Sequence, residues 1–78
     1  MKDIKIDLSL DTLGYYCPVP IVKTAKALHE LQAGQVLEVI ADDAGIKKDL
    51  PAWCKTTGHE FLGLEEKAGE FRGYIKKR

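Results

Sequence analysis

The sequence predicts an α+β fold: a two-layer α/β sandwich of order β-α-β-α-β-β, with a mixed four-stranded sheet and two helices on one face. Three observations lead there. Ile4, Ile6, Leu8 and Leu10 alternate with Lys5, Asp7 and Ser9, as in a strand with one wet face. Two later segments carry apolar residues at helical spacing, and each ends at a glycine. The last third reads as two strands around Lys67-Ala68-Gly69. A first strand wet on one side leaves the sheet open there, so both helices belong on the other side.

After the first strand, Asp11 to Tyr16 forms a loop containing Gly14. From Pro18 to about Ala33 the pattern is helical. Ile21, Val22, Ala25 and Leu28 share one side, Lys23, Lys26 and Glu30 the other, and Gly34 is the stop. Val36 to Ala41 is a short apolar run suited to a central strand. Asp42-Asp43 offers an N-cap for a second helix from about Ala44 to Thr57. Ile46, Leu50, Trp53, Cys54 and Thr57 fall at core spacing, and Gly58 ends the segment. Pro51 either kinks this helix or marks its true first turn after a separate turn at 44–48. Glu60 to Glu66 and Glu70 to Lys77 complete the hairpin.

With 78 residues, a single domain over 1–78 is expected. A chain this short buries only roughly 60–65% of its unfolded surface, so few side chains are spared from packing. Twelve basic residues balance twelve acidic ones, which weighs against nucleic acid as the main partner. The N-terminus lacks the apolar core of a signal peptide, and no apolar stretch is long enough to span a bilayer. A cytoplasmic protein, monomeric and without a membrane partner, is therefore expected. The basic tail Lys76-Lys77-Arg78 reads as a solvated end. Two cysteines, 37 residues apart, make no disulfide scaffold, and with His29 and His59 they match no zinc spacing, so no metal or other cofactor is expected.

The chemistry concentrates at Cys17-Pro18-Val19-Pro20, where a thiol meets the start of a helix. Free backbone N–H groups and the positive end of the dipole favour a thiolate there. With Cys17 at or just before the N-cap, Pro18 falls near the first helical position and Pro20 near the third. Both stiffen the turn that aims the sulfur, yet each removes a donor, so the site is a rigid pedestal with a moderate dipole effect. A thiol of pKa ~8.5 is about 3% thiolate at pH 7; one unit lower, it is roughly 24%. Lys23, six residues on, adds positive potential, although its azimuth lies away from Cys17.

No general base is evident. His29 is twelve residues downstream, about 18 Å along a helix, and reads as a partly packed side chain at the edge of the apolar face. His59 opens a strand, at a distance from Cys17 that the sequence does not set. A stiffly mounted nucleophilic sulfur without base, oxyanion donors or deep pocket suits sulfur transfer between proteins. Cys54, on the apolar face of the second helix, reads as core. The pair Tyr15-Tyr16 beside Cys17 is either a docking surface or a packed loop.

Leu13-Gly14, Cys17-Pro18-x-Pro20, Gly34, Asp42-Asp43, Asp49-Leu50-Pro51, Trp53-Cys54 and Gly58-His59-Glu60 together resemble the TusA/SirA-like sulfur-carrier family over about residues 4–77. The resemblance implies the same two-layer fold and a persulfide carried on Cys17, with Pro18 and Pro20 as the motif prolines. It also implies protein partners: a cysteine desulfurase or related sulfurtransferase as donor, and acceptors serving tRNA thiolation, molybdenum-cofactor assembly or sulfur oxidation. Two positions depart from the family pattern. Val19 stands where carriers in tRNA thiolation often have an acidic residue, and Ala44-Gly45 follow the aspartates where proline is common.

Two other readings stand beside the carrier. Lys23, Lys26, Lys47, Lys48 and Lys55 on the helices could serve an RNA-binding or ribosome-associated module of the same fold. Cys17 and Cys54 could serve a thiol redox protein, if their Cα atoms lie within about 7 Å.

Overall fold

The computed structural model describes residues 5–16 and 18–78. The expected strand position of Ile4, the N-cap placement of Cys17 and the exposure of its sulfur lie outside the described residues. Six elements follow in the expected order: β1 (Leu8–Asp11), α1 (Val19–His29), β2 (Val36–Ala41), α2 (Ile46–Thr57), β3 (Glu60–Lys67) and β4 (Glu70–Lys76).

The sheet order is β1-β2-β4-β3. β1 runs parallel to β2, because α1 crosses over between them, and the other pairs are antiparallel. Leu37, Val39 and Ala41 of β2 point to the helices and are opposed by Ile75, Gly73 and Phe71 of β4. Ile46, Leu50 and Cys54 of α2 and Ala27 and Leu28 of α1 close the core above them. Gly73 is the point of closest approach between α2 and the sheet. A Cβ there would run into Leu50 Cδ2, so the helix rests on bare backbone.

The other face of the sheet is polar and paired with itself. Ser9 Oγ donates to Glu38 Oε1 at 2.8 Å, and Arg72 reaches Glu38 and Glu70, each at 3.6 Å. Tyr74 Oη donates to Glu65 Oε1 at 3.0 Å. Burial, and then Glu65, push the Tyr74 phenol up to about 12. Among the described residues no buried side-chain polar atom lacks a partner. The β3–β4 turn consists of Ala68 and Gly69, both at positive φ as a tight two-residue hairpin requires.

Several expectations are corrected. β1 starts at Leu8 rather than near the N-terminus, and Ile6 is exposed. α1 stops at His29, four residues before Ala33, because tertiary partners take the backbone beyond it. Lys77 Nζ donates to Leu31 O, Gly34 N to Lys77 O, and Lys77 N to Gln35 O. Of the expected stripe on α1, Leu28 is buried and Ile21 packs against the core, but Val22 is exposed; Pro20, Thr24 and Ala27 complete the buried face. Thr24 tolerates burial because its hydroxyl donates to Pro20 O at 2.7 Å. α2 begins at Ile46 behind Gly45, with no side-chain cap. Asp43 instead closes a small turn, its Oδ1 accepting from Gly45 N at 3.1 Å. Pro51 lies inside α2 and does not end it. Thr57 is exposed, its hydroxyl returned to Trp53 O at 2.8 Å.

Candidate functional site

The loop before Cys17 is tied down at nearly every residue. Thr12 is fully buried, and both its N–H and its hydroxyl donate to Ile40 O on β2, at 2.7 and 2.6 Å. Leu13 N donates to Asp11 Oδ1 at 2.9 Å, and Tyr15 N to Thr12 O at 3.2 Å. Gly14 holds φ +84°, a conformation that favours glycine, and its N–H donates to both carboxylate oxygens of Asp42, at 3.1 and 3.3 Å. The sequence does not single out Thr12, and it offers Asp42 only as an N-cap and as part of the family pattern. Each partner lies 28 residues away, so only the β1–β2 pairing brings them together.

On the far side of Cys17, Pro18 is the N-cap of α1, Val19 the first helical residue and Pro20 the second, so the helix starts one residue later than expected. Val19 N already donates to Tyr16 O at 2.9 Å, and the two prolines have no N–H. The first turn therefore has few donors to offer an anion. Pro18 is exposed, whereas Pro20 is buried and anchors the turn to the core.

Both tyrosines are exposed, Tyr15 at 45% and Tyr16 at 76%. With Leu13, Val19 and Val22 (52% exposed) they form an apolar surface on either side of Cys17. This favours the docking-surface alternative over a packed loop. Lys23, half-buried, holds its ammonium 4.8 Å from the centre of the Tyr15 ring. Its long side chain overcomes the unfavourable azimuth and brings a positive charge to a residue two before Cys17.

The histidines lie elsewhere. His59 stacks on Trp53, with ring centroids 5.6 Å apart, and accepts from Arg78 N on Nδ1 at 3.3 Å. Burial, and then Lys77, hold its pKa below the usual histidine value. His29 is exposed rather than partly packed, and it lines a groove of about 330 Å³ with Leu28, Trp53, His59 and Lys77. The groove sits at the C-terminal end of α1. Its α1 lining, Ala25, Leu28 and His29, lies in the second half of the eleven-residue helix, away from the end that follows Cys17.

Cys54 is 1% exposed, and burial pushes its thiol up to about 11. A buried, protonated thiol weighs against a redox pair with Cys17, whose distance from Cys54 lies outside the described residues. Of the helix lysines, Lys23 is engaged with Tyr15 and Lys47 with Glu66 at 2.9 Å, while Lys26, Lys48 and Lys55 are exposed. Among the described residues no helix is long and apolar enough to cross a membrane.

A family model described as Sulfurtransferase TusA matches residues 8–77. The putative sulfur carrier protein YrkI of Bacillus subtilis is 46% identical over 95% of this chain and 99% of its own length. The sulfur carrier protein TusA of Pseudomonas entomophila is 42% identical over 100% of this chain and 98% of its own. The putative sulfur carrier protein YrkF of Bacillus subtilis, 47% identical, is longer, and the chain spans only 40% of it. The crystal structure of a SirA-like protein from Desulfitobacterium hafniense superposes with a TM-score of 0.77 at 31% identity, covering 88% of this chain and 95% of that one.

Proposed function

The chain belongs to the TusA sulfurtransferase family, whose curated relatives are sulfur carriers, and on that premise we propose that Cys17 carries the sulfur as a persulfide between two protein partners. Residues 1–78 form one carrier domain in this reading. The Cys17 thiolate attacks the terminal sulfur of a donor persulfide. A new S–S bond forms at Cys17, the donor's S–S bond breaks, and the donor leaves as a thiolate. No net oxidation occurs, so no cofactor is called for. The acceptor reverses the geometry, attacking the outer sulfur and releasing Cys17. Gly14, Pro18 and Pro20 shape the presenting turn, Lys23 supports the anion, and Tyr15 and Tyr16 contact the partner.

One observation carries this reading. The described residues flanking Cys17 expose an apolar surface on a loop held by the Thr12 and Gly14 hydrogen bonds, and the histidine-lined groove takes its α1 residues from the other half of that helix. A thiol mounted so borrows its base and its reacting partner from another protein. Incubation with a cysteine desulfurase and cysteine, followed by intact-mass measurement, tests it. The expected product is one added sulfur, absent in Cys17→Ser and retained in Cys54→Ser. A wild-type protein that stays unmodified with every desulfurase and sulfurtransferase donor supplied refutes the reading.

A further inference from the structure

Asp42 neither caps α2 nor joins the core, although it directly follows β2, whose last residue Ala41 is fully buried. Its carboxylate turns back across the sheet edge to the Gly14 N–H, three residues before Cys17. We propose that Asp42 is a positioning residue, holding the Cys17 loop in the register that sulfur transfer requires. The inference rests on the carrier reading and adds a residue to it.

The tether has the properties that such a role needs. Its base is the central strand, so the carboxylate moves with the core rather than with the loop. The hydrogen bond is charge-assisted, hence stronger and more directional than an amide–carbonyl contact. It grips a glycine at positive φ, where the backbone is otherwise least constrained. The neighbouring residues are held separately: Thr12 by Ile40, Tyr15 by Thr12 O and Lys23. Gly14 is the link between those anchors and Cys17. Among the described residues its amide has no backbone acceptor, so without Asp42 it turns to water.

Persulfide exchange needs two sulfurs in line at near-contact distance. A small misplacement of the loop therefore slows transfer from a protein donor without altering the thiol's own nucleophilicity. Asp42→Asn keeps a side-chain oxygen to accept from Gly14 and removes the charge; Asp42→Ala removes the tether. Three measurements separate the cases: initial rates of sulfur transfer from a cysteine desulfurase against carrier concentration, the pH profile of iodoacetamide alkylation at Cys17, and hydrogen exchange at the Gly14 amide. The expected result for Asp42→Ala is a kcat/KM for transfer lowered about tenfold, an unchanged alkylation profile and faster Gly14 exchange. Asp42→Asn should stay within about threefold of wild type.

Asp42→Ala transferring at the wild-type rate overturns the inference. So does Asp42→Asn failing as badly as Asp42→Ala, which assigns the effect to charge, and so does transfer and alkylation slowing together with a fall in Tm, which assigns it to folding. A wild-type carrier that takes up no sulfur removes the functional reading and this inference together; a competent wild type with an unaffected Asp42→Ala removes the inference alone.

Discussion

The two helices share a layer and a similar length, and each has a proline within it and a cysteine in or beside it, yet they treat apolar surface in opposite ways. α2 turns Ile46, Leu50 and Cys54 into the core and leaves lysines outside. α1 is the more apolar in composition, but it keeps Val19 and Val22 exposed next to Tyr16. Its burial is done partly by Pro20 and Thr24. The lesson concerns where a small fold places its cost. With so thin a core, one helix packs its apolar face, and the helix that starts beside the proposed carrier cysteine leaves apolar residues outside.

The sharpest way to break this contrast is thiol titration under native conditions. Cys54, pushed from 9.0 to about 11, should react with iodoacetamide at least about a hundredfold more slowly than Cys17, and catch up in denaturant. Two fast thiols per native chain would erase the distinction.

Truncation comes next. Leu50→Ala, in the fully buried contact over Gly73, should cost about 3 kcal/mol in urea unfolding. Gly73→Ala forces Leu50 aside and should cost about 1–3 kcal/mol by the same measurement. If both variants unfold at the wild-type midpoint, α2 does not rest on the sheet as described.

Alkaline pH sharpens the same point. The fold favours the neutral forms of Cys54 and Tyr74, raised from 9.0 to about 11 and from 10.0 to about 12. Their contribution is complete below about pH 9 and is lost as pH rises through those folded-state values, since the unfolded chain releases the protons first. Stability measured from pH 8 to 11 should therefore decline, and Cys54→Ala should decline less steeply. An equal slope in the variant would mean that Cys54 is not the titrating group.

The smallest expected stability effect is on the outer face of α1. Val22→Ser should change stability by no more than about 0.5 kcal/mol, while lowering the rate of sulfur transfer from a protein donor. A large destabilisation would show Val22 to be a core residue after all, as the helical wheel suggests.

Much of this molecule is legible along the chain. Alternation at Leu8–Leu10, the apolar run at Val36–Ala41 and the Lys67-Ala68-Gly69 turn are local patterns, and each gives its element to within a few residues. The Cys-Pro-Val-Pro motif marks a helix start for an equally local reason: in a first turn the N–H that proline lacks has no intrahelical partner to lose. The face of α1 differs from the expected one because the apolar Val22 stays outside, while the polar Thr24 goes in by hiding its hydroxyl on its own helix. Asp42 was misread because an acid before a helix looks like a cap, while its true acceptor role depends on a loop 28 residues earlier.

What the sequence determined by itself is the order of the elements and the helix start marked by Pro18 and Pro20, because turn chemistry and periodicity act between near neighbours. The tertiary structure alone decided which valines stay outside, where His59 stacks and that Asp42 holds Gly14. Those outcomes depend on residues that meet only when β1 pairs with β2 and the two helices settle on the sheet.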